Sequence, residues 1–158
     1  MQQLAGLENG LNTFFKGLPH LPKEWRHWLA DNVWWLVLIG VVLGALGILG
    51  LVPAVLGISI FAGIVAGPAA GALVIITGIV NMAVLVVSVA LEAMAITPLK
   101  AKQKRGWDLL FLVSLVAFAG AALNAIITGN VGHILGLLVG TLIGLYFLFE
   151  VRMYFVHK

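Results

Sequence analysis

Cysteine is absent from the chain, so disulfides and thiolate metal sites are excluded. Charge is scarce as well. Only 9% of the 158 residues are Asp, Glu, Lys or Arg, against about a quarter in soluble domains. Catalytic patterns are missing too: there is no nucleophile–base pair, no phosphate-binding glycine loop and no paired carboxylate site. His133 has no second His, Asp, Glu or Cys on its side of the chain, too few ligands for a metal. His20 and His27 are seven residues apart, but Pro22 intervenes and no common face follows. The expectation is a protein that is not an enzyme and holds no cofactor.

What the chain has in quantity is apolar residues, 62% of the total, in long uncharged runs that mark membrane spans. The fold expected is an all-α integral membrane four-helix bundle, a single membrane domain over 1–158. Residues 1–32 form interfacial helices. Leu4, Leu7, Leu11, Phe14 and Phe15 recur at helical spacing over 2–17, an amphipathic helix that either lies on the membrane or covers the end of the bundle. Pro19 and Pro22 break it, and Lys23 to Ala30 forms a second short helix. Trp25, Trp28, Trp34 and Trp35 crowd the start of the first span, as interfacial anchors do. Spans follow at 33–52, 72–96, 108–128 and 131–150, with a basic hinge over 97–107. No stretch resembles a cleavable signal, so the first span is expected to be retained. Between Pro53 and Pro68 only 14 residues remain, short of the ~20 a spanning helix needs. Residues 53–71 therefore read as a re-entrant segment.

Two small-residue series suit close helix packing. One is Gly132, Gly136, Gly140 and Gly144 in the last span; the other includes Gly40 and Gly44 in the first. Thr77, Asn81, Ser88 and Glu92 form a polar stripe on the second span, and Asn124 lies in a small, polar seam on the third. An ionisable residue inside a span is a functional candidate by default. For Glu92 the competing reading is a structural ion pair with Arg105, Arg152 or Lys100 near the interface, and Glu150 is a further ion-pair candidate.

Positive residues stay cytoplasmic during insertion. Four spans place all nine Lys and Arg on one side, with both termini inside. A fifth span through 53–71 would separate them. The hinge Lys100, Lys102, Lys104 and Arg105 reads as a topology signal and a contact for anionic lipid at the cytoplasmic face, not as a nucleic-acid site.

The segments Leu21-Pro22-Lys23-Glu24-Trp25, Lys104-Arg105-Gly106-Trp107-Asp108-Leu109-Leu110-Phe111 and Gly144-Leu145-Tyr146-Phe147-Leu148-Phe149-Glu150-Val151-Arg152-Met153-Tyr154 resemble those of small four-span bacterial membrane proteins known mainly from uncultured bacteria. The resemblance implies a bacterial inner-membrane location, and it implies no established activity and no catalytic residues. The function expected is helix packing or assembly, as a homo-oligomer or as a small subunit with a membrane-protein partner. The alternative is an oligomeric channel or transporter for a small solute or ion. For the topology, reporter fusions at Lys102 and Asn130 should fall on opposite sides of the membrane; a shared side overturns the four-span arrangement.

Overall fold

The computed structural model describes residues 2–129 and 131–156, with side-chain surroundings for all of these except 2–5, 7, 9, 131–135, 137 and 156. Every described element is helical: α1 (Gln2–Lys16), α2 (Lys23–Ala66), α3 (Pro68–Lys100), α4 (Lys104–Thr128), α5 (Val131–Val151) and α6 (Met153–Val156). Three of them, α2, α3 and α4, are long and apolar enough to cross a membrane. A helix is the expected form for such runs, because it satisfies its own backbone polar groups where water is absent. Helices α2 and α3 pair as an antiparallel hairpin, α4 packs on α3, and α5 packs on α4 while touching α2 only sparsely.

The break expected at Pro53 does not occur. Helix α2 runs unbroken through it to Ala66, so residues 53–71 are the end of one long helix, a turn at Gly67 and the start of the next, not a separate re-entrant element. The physical reason lies in the surroundings. Proline removes one helical hydrogen bond, whereas unwinding the chain in an apolar medium would strand several backbone groups. Gly67 makes the turn with a positive φ of 92°, and Pro68 opens α3 at a position that needs no N–H. The short helix expected over Lys23 to Ala30 is not separate either. Helix α2 starts at Lys23 and runs directly into the first span, and the Asn32 amide donates to the Trp28 carbonyl of its own helix.

Small residues set the α2–α3 distance. A Cβ on Gly44 would lie 2.5 Å from Val89 Cγ2, one on Gly78 2.6 Å from Val55 Cγ1, and one on Gly71 2.7 Å from the Ser59 carbonyl oxygen. On the other side of α3, Gly120 of α4 receives Val84, and Asn124 Nδ2 donates to Asn81 Oδ1 at 2.8 Å. This register ends α4 roughly level with Thr77. Helices α2 and α3 continue past that point by about 14 Å at 1.5 Å per residue. The projecting tip is apolar, with Phe61, Ile64 and Val65 exposed. No charged residue lies between Asp31 and Glu92. The apolar part of α2, residues 33–66, is about 51 Å long, well beyond the ~30 Å hydrocarbon layer. Helices accommodate such an excess by tilting, kinking or thickening the bilayer around them.

The compact core sits at the opposite, charged end, where Phe15, Leu99, Trp107, Phe111, Phe149 and Phe155 are buried together. Trp107 is fully buried. Its ring stacks on Phe111 and meets Phe149 edge-on, and its Nε1–H donates to the Leu148 carbonyl at 2.8 Å. That carbonyl belongs to the last turn of α5, where the next helical donor is missing, because Arg152 N–H turns to Phe149 instead. Helix α1 joins this core through Phe15, stacked 5.2 Å from Phe149.

The close approach of α2 and α3 yields a direct test. Gly71→Ala forces a side chain against backbone and should cost about 1–3 kcal/mol. Gly50→Ala meets open space and should leave stability unchanged or raise it by up to about 1 kcal/mol. Thermal melting in detergent reads both, and equal melting of the two variants contradicts the packing.

Candidate functional site

Charged groups gather at the core end and are mostly spent on one another. Glu150, only 7% exposed, accepts from His20 Nδ1 at 2.6 Å and from the Leu21 N–H at 3.2 Å, with Arg26 Nε at 3.6 Å. A carboxylate in the last turn of a helix opposes the helix dipole, and the two hydrogen bonds and the nearby Arg26 charge offset that cost. The Tyr146 hydroxyl, one turn earlier, donates to the Pro19 carbonyl. The segment between α1 and α2 is thereby strapped to the end of α5. Arg152 donates through Nε to Glu8 at 3.0 Å and lies over the Trp107 ring. Lys104 bridges Asp108 at 3.0 Å and Glu8 at 3.8 Å. Lys102 pairs with Asp31, and Lys100 sits 5.1 Å from the Trp34 ring centre.

Glu92 stands outside this network. The expected ion pair with Arg105, Arg152 or Lys100 is not formed: Arg152 faces Glu8, Lys100 faces Trp34, and Arg105 is exposed. Glu92 has neither a salt bridge nor a hydrogen bond among the described residues. The carboxylate is half-buried, and its Oε2 lies 3.3 Å from where a Cβ on Gly40 would stand. Gly40 thus makes room for the carboxylate rather than for a backbone contact.

The carboxylate borders a cleft of about 460 Å³ between α2, α4 and α5, walled by Leu29, Val33, Leu36, Leu110, Phe147 and Val151. Ser114 and Gly144 also line it. The Ser114 hydroxyl is turned to the Leu110 carbonyl of its own helix. Gly144 contributes an open wall, since no atom comes within 4 Å of a Cβ built on it. The cleft is therefore greasy on all sides and carries one acidic group.

The rest of the polar stripe does not extend this site. Thr77 bonds carbonyls of its own helix, and Asn81 is held by Asn124. Ser88 is half-buried between them and Glu92. The second glycine series gives a different picture from Gly40 and Gly44, which face α3. Gly136, Gly140 and Gly144 are exposed, and a Cβ built on any of them meets no described atom within 4 Å, so among the described residues no helix of the same chain fills their groove. The surroundings of Gly132 and His133 lie outside the described residues. Sequence reasoning gave no role to Glu8, His20 or Trp107. For Trp107 a signal existed: an aromatic at i+4, Phe111, gives the stacked pair one turn on. Nothing local in the sequence marks Glu8 or His20, whose partners are 144 and 130 residues away.

Fold and site define an all-helical protein with three helices suited to spanning a membrane. No protein-family model matches the chain, and no curated protein or solved structure matches it. The likeness to four-span bacterial proteins therefore brings no activity to these residues.

The two carboxylates should respond oppositely to neutralisation. Glu150→Ala strands the Leu21 N–H and the His20 ring donor and leaves Arg26 without its counter-charge, and it should lower stability by about 1.5–3 kcal/mol. Glu92→Gln removes a charge from an apolar cleft without breaking a pair, so the melting temperature should hold or rise. A Glu92→Gln protein that melts below wild type would show a cationic partner that this geometry lacks.

Proposed function

We propose that the chain is a non-enzymatic, four-span assembly protein of a bacterial inner membrane that self-associates through the glycine face of α5. In this reading α2, α3, α4 and α5 cross the bilayer and the charged end, with both termini, faces the cytoplasm. Exposed Lys16, Lys23 and Arg105 meet anionic headgroups there. Helix α1 caps that end, with Phe15 in the core and Phe14 turned outward, 59% exposed.

One observation carries the assembly reading. Gly44, Gly71, Gly78 and Gly120 are each pressed against a neighbour, whereas Gly136 and Gly140 stand in register on α5 with no described atom within 4 Å of a Cβ built on them, and Gly144 of the same series opens onto the Glu92 cleft. Glycine in a water-soluble helix costs stability, and in a bilayer its return is close approach of a second helix. A second copy of α5 supplies that helix, and the loose seam between α2 and α5 leaves the face accessible. A transport role is the second reading, favoured by unpaired Glu92 in its cleft.

Gly140→Leu tests assembly. The substitution meets no atom of its own chain, so the melting temperature should stay near wild type while the mass in detergent or nanodiscs falls to that of a monomer. An unchanged mass for Gly140→Leu, or a monomeric wild type, overturns the proposal.

A further inference from the structure

The cleft and its carboxylate specify a ligand by chemistry. We propose that the cleft between α2, α4 and α5 binds an amphipathic organic cation, with a single positive nitrogen or phosphonium centre against Glu92 and an apolar body against Leu36, Leu110 and Phe147. The inference concerns one chain and does not depend on assembly through α5.

Three observations converge on it. The first is the charge. Glu92 borders the cleft with no cation against it among the described residues, although Arg26, Lys100, Lys102, Lys104 and Arg152 lie at this end of the bundle and face other partners. A carboxylate in an apolar wall gains most from a counter-charge that arrives without a large hydration shell. That condition disfavours small inorganic cations, for which the lining side chains offer only the Ser114 hydroxyl oxygen besides the carboxylate, far fewer oxygen ligands than such ions take. It favours a delocalised or alkylated cation.

The second is size and lining. The cleft volume of about 460 Å³ falls in the range of small-molecule sites, which combine apolar walls with a few placed polar groups. Phe147 adds an aromatic ring to that wall, a surface that also attracts organic cations.

The third is access. Leu36 and Phe147 are 47% and 43% exposed, so the cleft opens sideways, towards lipid when α2 and α5 are in a bilayer. Glu92 lies eight residues before Lys100, about 12 Å along α3 from the charged end. An amphipathic cation partitioned into that leaflet, its charge near the headgroups and its body among the chains, presents itself at this depth.

The experiment uses the full chain in lipid nanodiscs with radiolabelled tetraphenylphosphonium as probe and empty nanodiscs as the partition baseline. Wild type should show saturable binding above that baseline. Glu92→Gln should weaken it at least about tenfold. Ser114→Phe fills the cleft from α4 while leaving the carboxylate in place, and it should weaken binding as well. Each variant is melted alongside, and Ser114→Phe alone decides if Glu92→Gln does not fold. Absence of saturable binding in wild type, or wild-type affinity in the folded variants, overturns the proposal.

Discussion

The hydrogen bond from Trp107 to the Leu148 carbonyl holds the charged end of this protein together. It supplies a donor to a helix terminus that has lost one, and it does so inside a fully buried aromatic cluster. An unmet carbonyl in such a place would cost about 1–3 kcal/mol. Around the indole, Phe111 and Phe149 pack, Phe15 brings in α1, and Arg152 closes the top while reaching Glu8. The turn between α1 and α2 is then fixed by Glu150 and Tyr146 of the same α5 terminus. Three separate stretches of chain, 8–26, 104–111 and 145–155, converge there.

The opposite end obeys a different rule. Apolar side chains gain nothing from leaving lipid for one another, so helices in a bilayer associate by shape and by hydrogen bonds. The α2–α3 hairpin shows this: glycines facing Val89 and Val55, a glycine against a backbone carbonyl, and one Asn–Asn bond tying α4 to α3. The apolar tip beyond α4 is held by the packing of α2 against α3, with Gly71 against the Ser59 carbonyl. Packing is dense where water would otherwise penetrate and sparse where lipid serves as solvent.

Between these two regimes lies the Glu92 cleft. It exists because α5 docks firmly on α4 but barely touches α2, and because Gly144 contributes no side chain to the gap. Arg152, Lys102, Lys104, Arg26 and Lys100 are drawn to Glu8, Asp31, Asp108, Glu150 and Trp34, and among the described residues none pairs with this carboxylate. The arrangement is the reverse of a structural ion pair, and it gives the cleft its chemical character.

Composition alone determined that this chain is helical, with runs long and apolar enough to span a membrane, because backbone in lipid must satisfy itself and a long uncharged run has no other way to do so. It also marked the glycine series and singled out Glu92, since a charge inside such a run stands out against its surroundings. The run of helix through Pro53 was not legible. Proline breaks helices where water can serve the freed groups, and that rule weakens in an apolar medium. Nor were the ion-pair partners. Glu8 with Arg152 and His20 with Glu150 are brought together by the docking of α1 and its connecting turn onto α5, across more than a hundred residues of chain. Only the tertiary structure decided that Gly40 and Gly44 are used within the chain while Gly136, Gly140 and Gly144 remain open. Both series look alike as spacing, and which face of a helix meets a neighbour is set by how the helices dock, which spacing along a single helix does not encode.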